Sequence, residues 1–366
     1  MEEKAYWVAL SQTPGLGARR CIQLIHKLGG ARTAWEKAGE RDFLALGWPE
    51  ALIHNFFSWR RKAQPETLLT ALERKGIEVI TLEAEEYPLN LKRIYDPPPV
   101  LYIKGRRDVW QAELRIAIVG TRRATPYGLK IAARLAQDLA AEGVVVVSGL
   151  ARGIDTAAHE GALKGGGLTV AVLGCGLDTV YPRENKKLYS EIPAQGLLLT
   201  EFPLGTPPVA KNFPARNRII SGLAEGTVVV EAGEKSGALI TADLALEQGR
   251  DVFAVPGPVT SKYSRGSHNL IKQGAKLVET AADILEEYGC QYRLFPKLLS
   301  EDAASNRFKL TPEEERVLKF IDLQPVHIDA LLEAAGMDAA LVNRTLIQLE
   351  IQGIIKRLPG NYYLRR

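Results

Sequence analysis

Thirteen consecutive residues, Lys211-Asn212-Phe213-Pro214-Ala215-Arg216-Asn217-Arg218-Ile219-Ile220-Ser221-Gly222-Leu223, set three cations, an aromatic ring and two amides between two apolar strand patterns. Guanidinium and ammonium groups hold phosphate, and a ring offers a face on which a base can stack, so this composition suits an anionic polymer or a nucleotide. The alternative is a helix N-terminus in which Asn217 caps, Phe213 packs inside and the cations are solvated.

Four further loops follow apolar runs of strand length. Gly120-Thr121-Arg122-Arg123 joins a turn-permitting glycine to a hydroxyl and two guanidinium groups that suit bidentate phosphate contacts; its plain alternative is a solvated basic turn. Ser148-Gly149-Leu150-Ala151-Arg152-Gly153-Ile154-Asp155-Thr156 has two glycines for close backbone approach, with Asp155 placed to cap the helix that carries His159. His159 either meets a phosphate or is a satisfied core histidine. Gly174-Cys175-Gly176-Leu177-Asp178 is another glycine-rich turn. In Glu231-Ala232-Gly233-Glu234-Lys235-Ser236-Gly237, before a helical pattern, Glu231 could hold a ribose, a lysine or an arginine from a neighbouring loop. In open α/β sheets such strand-end loops and helix N-termini offer free backbone N–H groups to anions.

Several chemistries lack a carrier. There is no GxxxxGK[ST] phosphate loop, no GxGxxG, no HExxH and no GxSxG. Cys21, Cys175 and Cys290 are few and widely separated, which indicates neither a disulfide framework nor a zinc site. We therefore expect no catalytic residue, metal or cofactor. The net charge of +4 permits a nucleic-acid partner without arguing for one, so local clustering carries that argument. An N-terminus without an apolar core, and no apolar run of spanning length, lead us to expect a soluble, cytoplasmic protein with no membrane partner.

The positioning elements are legible as patterns. Helical periodicity runs from about 5 to 75, and Pro14-Gly15-Leu16-Gly17 resembles a helix-hairpin-helix turn, although ordinary helical turns look the same. Asp96-Pro97-Pro98-Pro99 then reads as a stiff connector into a strand at Val100–Lys104. From about 115 to 285, short apolar runs alternate with amphipathic stretches, the pattern of a doubly wound, mostly parallel α/β sheet. Its strands are placed at Arg115–Val119, Val144–Ser148, Thr169–Leu173, Leu197–Thr200, Thr227–Val230 and Asp251–Ala254, with an edge strand at Lys276–Val278. Helices are placed at Tyr127–Glu142, Thr156–Lys164, Pro182–Ile192, Asn217–Leu223 and Ala238–Gln248. Three helical patterns and a hairpin close the chain as a winged helix. The expected division is 1–95 (helical, SAM- or helix-hairpin-helix-like), 96–288 (α/β), 289–309 (linker) and 310–366 (winged helix). The last segment carries eight acidic residues against seven basic ones, little for a DNA reader. Lys356, Arg357, Arg365 and Arg366 could still gather around the wing, so contact with protein or with duplex DNA stays open.

The blocks Gly120-Thr121-Arg122, Ser148 to Asp155, Lys211 to Gly222, Ser236-Gly237 and Gly249-Arg250-Asp251-Val252-Phe253-Ala254-Val255-Pro256-Gly257 together resemble the DprA/Smf family. The resemblance spans most of 115–285. It implies a Rossmann-like domain that binds single-stranded DNA, protects incoming DNA in natural transformation and loads the RecA recombinase, without turnover. It implies that Arg122 and Lys211 line a positive pocket for DNA. The DNA-binding set expected on this basis is Gly120, Thr121, Arg122, Arg123, Ser148, Gly149, Arg152, Gly153, Lys211, Phe213, Arg216, Asn217, Arg218, Ser236 and Gly237. Within it, Lys211 is the residue expected on DNA, and one of Arg216 and Arg218 is expected to hold the loops together. The resemblance also implies a homodimer, formed near Gly266 to Ile271 and Leu277-Val278, with Leu270, Ile271, Leu277 and Val278 at its surface or else in ordinary core.

Two other functions compete. A similar fold serves lysine-decarboxylase-like nucleotide phosphoribohydrolases, in which Glu231 would be an acid or base, but their PGGxGTxxE loop is replaced here by Glu231-Ala232-Gly233-Glu234-Lys235-Ser236-Gly237. A transcriptional regulator using the winged helix is the third reading, and the near-neutral charge of 310–366 counts against it.

Overall fold

The apolar runs of the central chain become strands of one nine-stranded sheet in the computed structural model, which describes residues 2–289, 311–321, 326–351, 354–358 and 360–365. In chain order the strands are β1 (Glu78–Thr81), β2 (Val100–Gly105), β3 (Arg115–Val119), β4 (Val145–Ser148), β5 (Thr169–Val172), β6 (Gly196–Thr200), β7 (Gly226–Val229), β8 (Asp251–Ala254) and β9 (Lys276–Leu277). Their order across the sheet is β1-β2-β6-β5-β4-β3-β7-β8-β9. All pairs from β6 to β9 are parallel, whereas β1 and β2 add an antiparallel edge. Strands β3 to β7 are buried along nearly their whole length, as helices on both faces require.

β1 lies within 1–95 and pairs with β2, from 96–288, through Glu78↔Ile103 to Thr81↔Val100. It is a strand that sequence periodicity left unassigned, because four residues are too few to show a period. Six helices precede it, from Glu2–Ser11 to Pro65–Glu73. The chain divides into two compact units, Met1–Pro296 and Lys297–Arg366. The expected linker 289–309, apart from Gly289, lies outside the described residues, as does Cys290; Cys21 and Cys175 are buried thiols.

Three helix starts differ from expectation by two residues or more; the one expected at Pro182 comes at Lys186, after a 3-10 turn at Arg183–Asn185. The helix Asn212–Leu223 begins five residues before Asn217, which therefore sits mid-helix and caps nothing. Pro214 is tolerated because it falls in the first turn, where its missing N–H has no helical acceptor. Buried Asn212, Arg216, Ile219, Ile220 and Leu223 recur at helical spacing, so Arg216 belongs to the inward face. Ile154–Lys164 starts after Gly153, making Asp155 a first-turn residue rather than the cap.

At the far end, Leu270 and Val278 are 5% and 0% exposed and fill the core of the chain, contrary to a surface role. Leu277, on the edge strand β9, is exposed and Ile271 is half-buried. The second unit packs helices Pro312–Leu318, Ile328–Ala335 and Ala339–Ile351 against strands β10 (Val326–His327), β11 (Ile355–Leu358) and β12 (Tyr362–Arg365), a winged helix. The side chains of Lys356, Arg357 and Arg365, and all of Arg366, lie outside the described residues.

Candidate functional site

The chain leaves β3 toward β4 on one side of the sheet and reaches β7 on the other, so the carboxyl ends of β3 and β7 flank a topological switch point. Loops diverge there and leave a crevice. A cavity of about 590 Å³ occupies it, walled by Gly120–Arg123 after β3, the helix Asn212–Leu223, and the turn Ser236–Ala238 after β7.

The first wall is fixed by backbone. Thr121 N donates to Glu231 O at 2.7 Å, Ile154 N donates to Thr121 O at 3.4 Å, and Arg123 N donates to Thr121 Oγ1 at 3.2 Å. A Cβ at Gly120 would strike Ile154 and the Glu231 carbonyl, and one at Gly153 (φ +79°) would strike the Thr121 carbonyl. These glycines let loops pack on each other, which is a different task from admitting a phosphate. Arg122 and Arg123 remain exposed, and the Arg122 guanidinium lies 5.0 Å from the Phe213 ring centroid.

The opposite wall carries Phe213, half-buried and tilted against Tyr181 at 5.3 Å. Asn212 Nδ2 donates to Gly174 O at 3.2 Å, and Asn217 Nδ2 donates to Gly237 O at 3.3 Å, tying this wall to the third. Lys211 is exposed directly ahead of the helix, between Ala210 and Phe213's turn, both of which line the cavity. Ser236 Oγ accepts from Ala238 N at 3.3 Å and caps the helix Gly237–Glu247, whose first turn has no acidic residue.

The two arginines are committed inside the protein. Arg216, 3% exposed, forms the floor: Nη1 donates to Gly149 O at 2.7 Å and to Val172 O, while its Nε–H has no acceptor among the described residues. Burial pushes its pKa down to about 10, opposed by the buried Asp155 carboxylate, so it stays charged at neutral pH. Gly149 is glycine because a Cβ would occupy the guanidinium's place. Arg218 makes a two-pronged pair with Glu201 at 2.5 and 2.6 Å and bonds Asp96 O at 3.0 Å. Ser148 is fully buried and donates to Ile118 O at 2.6 Å. The sequence expectation thus joins in one site Arg122, Phe213 and Asn217, which face the cavity, and Ser148, Gly149, Arg216 and Arg218, which build it.

Three other residues resolve similarly. Arg152 is exposed, pairs with Glu184 at 2.5 Å and lines a neighbouring cavity shared with Arg122 and Arg123. His159 is buried: its Nδ1–H donates to Thr169 Oγ1 at 2.7 Å, since that hydroxyl donates to Val146 O, and its Nε2 accepts from Leu150 N at 3.3 Å. Burial pushes its pKa down to about 3, so it is neutral and structural. Glu231, also buried, accepts from Thr125 N at 2.9 Å and Thr125 Oγ1 at 2.6 Å, which anchors the start of the helix Pro126–Ala141. Tyr181 and Ile240 also line the cavity, and sequence reasoning missed both. An aromatic before a proline and an exposed isoleucine on an apolar helix carry no signal of where the fold brings them.

With this geometry in view, comparison with known proteins is specific. The family model described as DNA recombination-mediator protein A matches residues 78–289, and the DprA winged helix domain matches 301–361. Protein Smf of Synechocystis is 34% identical over 100% of this chain and 99% of its own length. DNA processing protein A of Streptococcus pneumoniae superposes with a TM-score of 0.68 at 36% identity, covering 77% of this chain and 97% of that one. DNA processing protein A of Helicobacter pylori, whose structure was solved to explain its single-stranded DNA binding mode, superposes with a TM-score of 0.53 at 33% identity, covering 58% and 95%.

Proposed function

The chain belongs to the DNA recombination-mediator protein A family, and from that premise we propose that it binds single-stranded DNA in the cavity at β3 and β7. It does so without turnover, as a cytoplasmic homodimer that protects incoming DNA in natural transformation and passes it to the RecA recombinase. The observation that carries the reading is Arg122, held 5.0 Å over Phe213 at the mouth of a cavity whose walls supply further cations and helix N-termini. Phosphate meets Arg122, Arg123 and Lys211, and a base takes the ring edge or displaces the guanidinium from it. The binding mode reported for the Helicobacter pylori relative supports the same ligand.

The nucleotide-enzyme reading depends on Glu231 acting at the cavity, and Glu231 is engaged by Thr125 and absent from the cavity lining. A mobility-shift titration with single- and double-stranded oligonucleotides across a salt series tests the binding reading. Arg122→Ala with Lys211→Ala is expected to abolish single-strand binding at low salt, and unchanged affinity would sink the assignment. Base release from nucleoside monophosphates, lost in Glu231→Gln, would instead establish an enzyme. Size-exclusion light scattering tests the dimer, and pull-down with RecA tests the partner.

A further inference from the structure

A second aromatic and cationic face shares no residue with the cavity above. The helix Ala18–Leu28 sets Arg19, Ile22, Gln23 and His26 at i, i+3, i+4 and i+7, on one side. Together with Leu82, Glu83, Lys92, Tyr95 and Pro97 they line a cleft of about 460 Å³. Tyr95 is 80% exposed, and the Arg19 guanidinium stands 4.3 Å from its ring centroid. A tyrosine left this far in water gains almost nothing from burial; stacking by an arginine holds the ring in place while leaving it open. Lys92, in the same lining, is exposed as well. Among the described residues Glu83 is the one carboxylate lining the cleft, 3.9 Å from His26.

The segment bearing Tyr95 is fastened to the helix that walls the first cavity. Asp96, its neighbour, accepts from Arg218 Nε through its carbonyl at 3.0 Å and lies 3.4 Å away through its carboxylate. Leu91 and Ile94 press on Gly222 of the same helix, leaving no room for a Cβ there. At 1.5 Å per residue, Arg218 lies about 9 Å along the helix from Asn212. The first cavity and the second face are therefore joined through one helix.

We propose that this face binds a second stretch of the same single strand of DNA, a base stacking on Tyr95 while Arg19 and Lys92 take its flanking phosphates. The proposal rests on the single-strand reading of the first cavity. Fluorescence anisotropy with labelled oligodeoxythymidylates of increasing length, on the full chain, separates the two. Tyr95→Ala is expected to weaken the longest oligonucleotide about tenfold, the loss of one stacked base, while the shortest ones that bind are unaffected. Tyr95→Phe should behave as wild type, and Lys92→Ala should act on long oligonucleotides alone. Because the ring is exposed, Tyr95→Ala should unfold at the wild-type urea concentration. Wild-type affinity for Tyr95→Ala at every length, with Arg122→Ala/Lys211→Ala still defective, overturns the second face and leaves the first standing. Equal weakening of short and long oligonucleotides also overturns it. Full affinity in the Arg122→Ala/Lys211→Ala variant overturns the reading on which it rests.

Discussion

Arg216 and Arg218 stand two positions apart beside Lys211, and the fold uses them for different tasks. Arg216 satisfies the carbonyls of Gly149 and Val172 and faces buried Asp155, so Arg216→Met leaves acceptors and a carboxylate without their partner. Breaking a buried arrangement of this kind costs about 3–5 kcal/mol, which urea unfolding will show as a lowered midpoint. Arg122→Ala, at an exposed position, should change stability by less than about 0.5 kcal/mol and still lose single-strand binding. Measuring both quantities on both variants separates the residue that builds the site from the residue that uses it. His159 gives a pH signature. Its folded pKa of about 3 lies below the ordinary 6.5, so the unfolded chain binds the proton first as pH falls. Stability contributed by neutral His159 is present above pH 6.5 and is lost between there and about 3, with a slope approaching 1.4 kcal/mol per pH unit. His159→Gln should remove one proton's worth of that slope in acid-urea titrations.

Among the elements, the loops at the strand ends act as a unit. Gly149 makes room for Arg216, Gly120 for Ile154, and Gly153, at positive φ, for the Thr121 carbonyl. Gly153→Ala places a side chain where the loop bearing Arg122 must pass, besides about 1–3 kcal/mol of backbone strain. The expected result is a lower thermal midpoint together with weaker single-strand binding, and normal binding at a normal midpoint would show that the two loops are independent. The strands were readable because residues buried on both faces make unbroken apolar runs, as in Val145–Ser148 and Thr169–Val172. The start of Asn212–Leu223 was not, since Phe213-Pro214 reads locally as a break and only the burial of Asn212 and Arg216 on one face reveals a helix.

At the scale of the whole molecule, the cavity is lined, among the described residues, by ones from Val119 to Thr241, within one compact unit. A chain ending at Pro296 should therefore bind single strands within about threefold of the full chain, by anisotropy at matched salt, a difference under about 1 kcal/mol. Binding should weaken with salt, and removing the charge of Lys211 should lower the log–log slope by about 0.7 if that ammonium neutralises one phosphate of a single strand. What the sequence determined by itself was the class of sheet, the loops at its ligand end, the winged helix and the family resemblance, because each is written in contiguous patterns and spacings. Only the tertiary structure decided that Arg216 and Arg218 are internal braces, that Leu270 and Val278 are core, that Glu231 holds a helix start and that Tyr181 joins the site. A charge or a ring is the same letter whether it faces solvent or carbonyls. Which of these it meets depends on segments tens of residues away, and their approach is fixed only when the sheet and its helices pack.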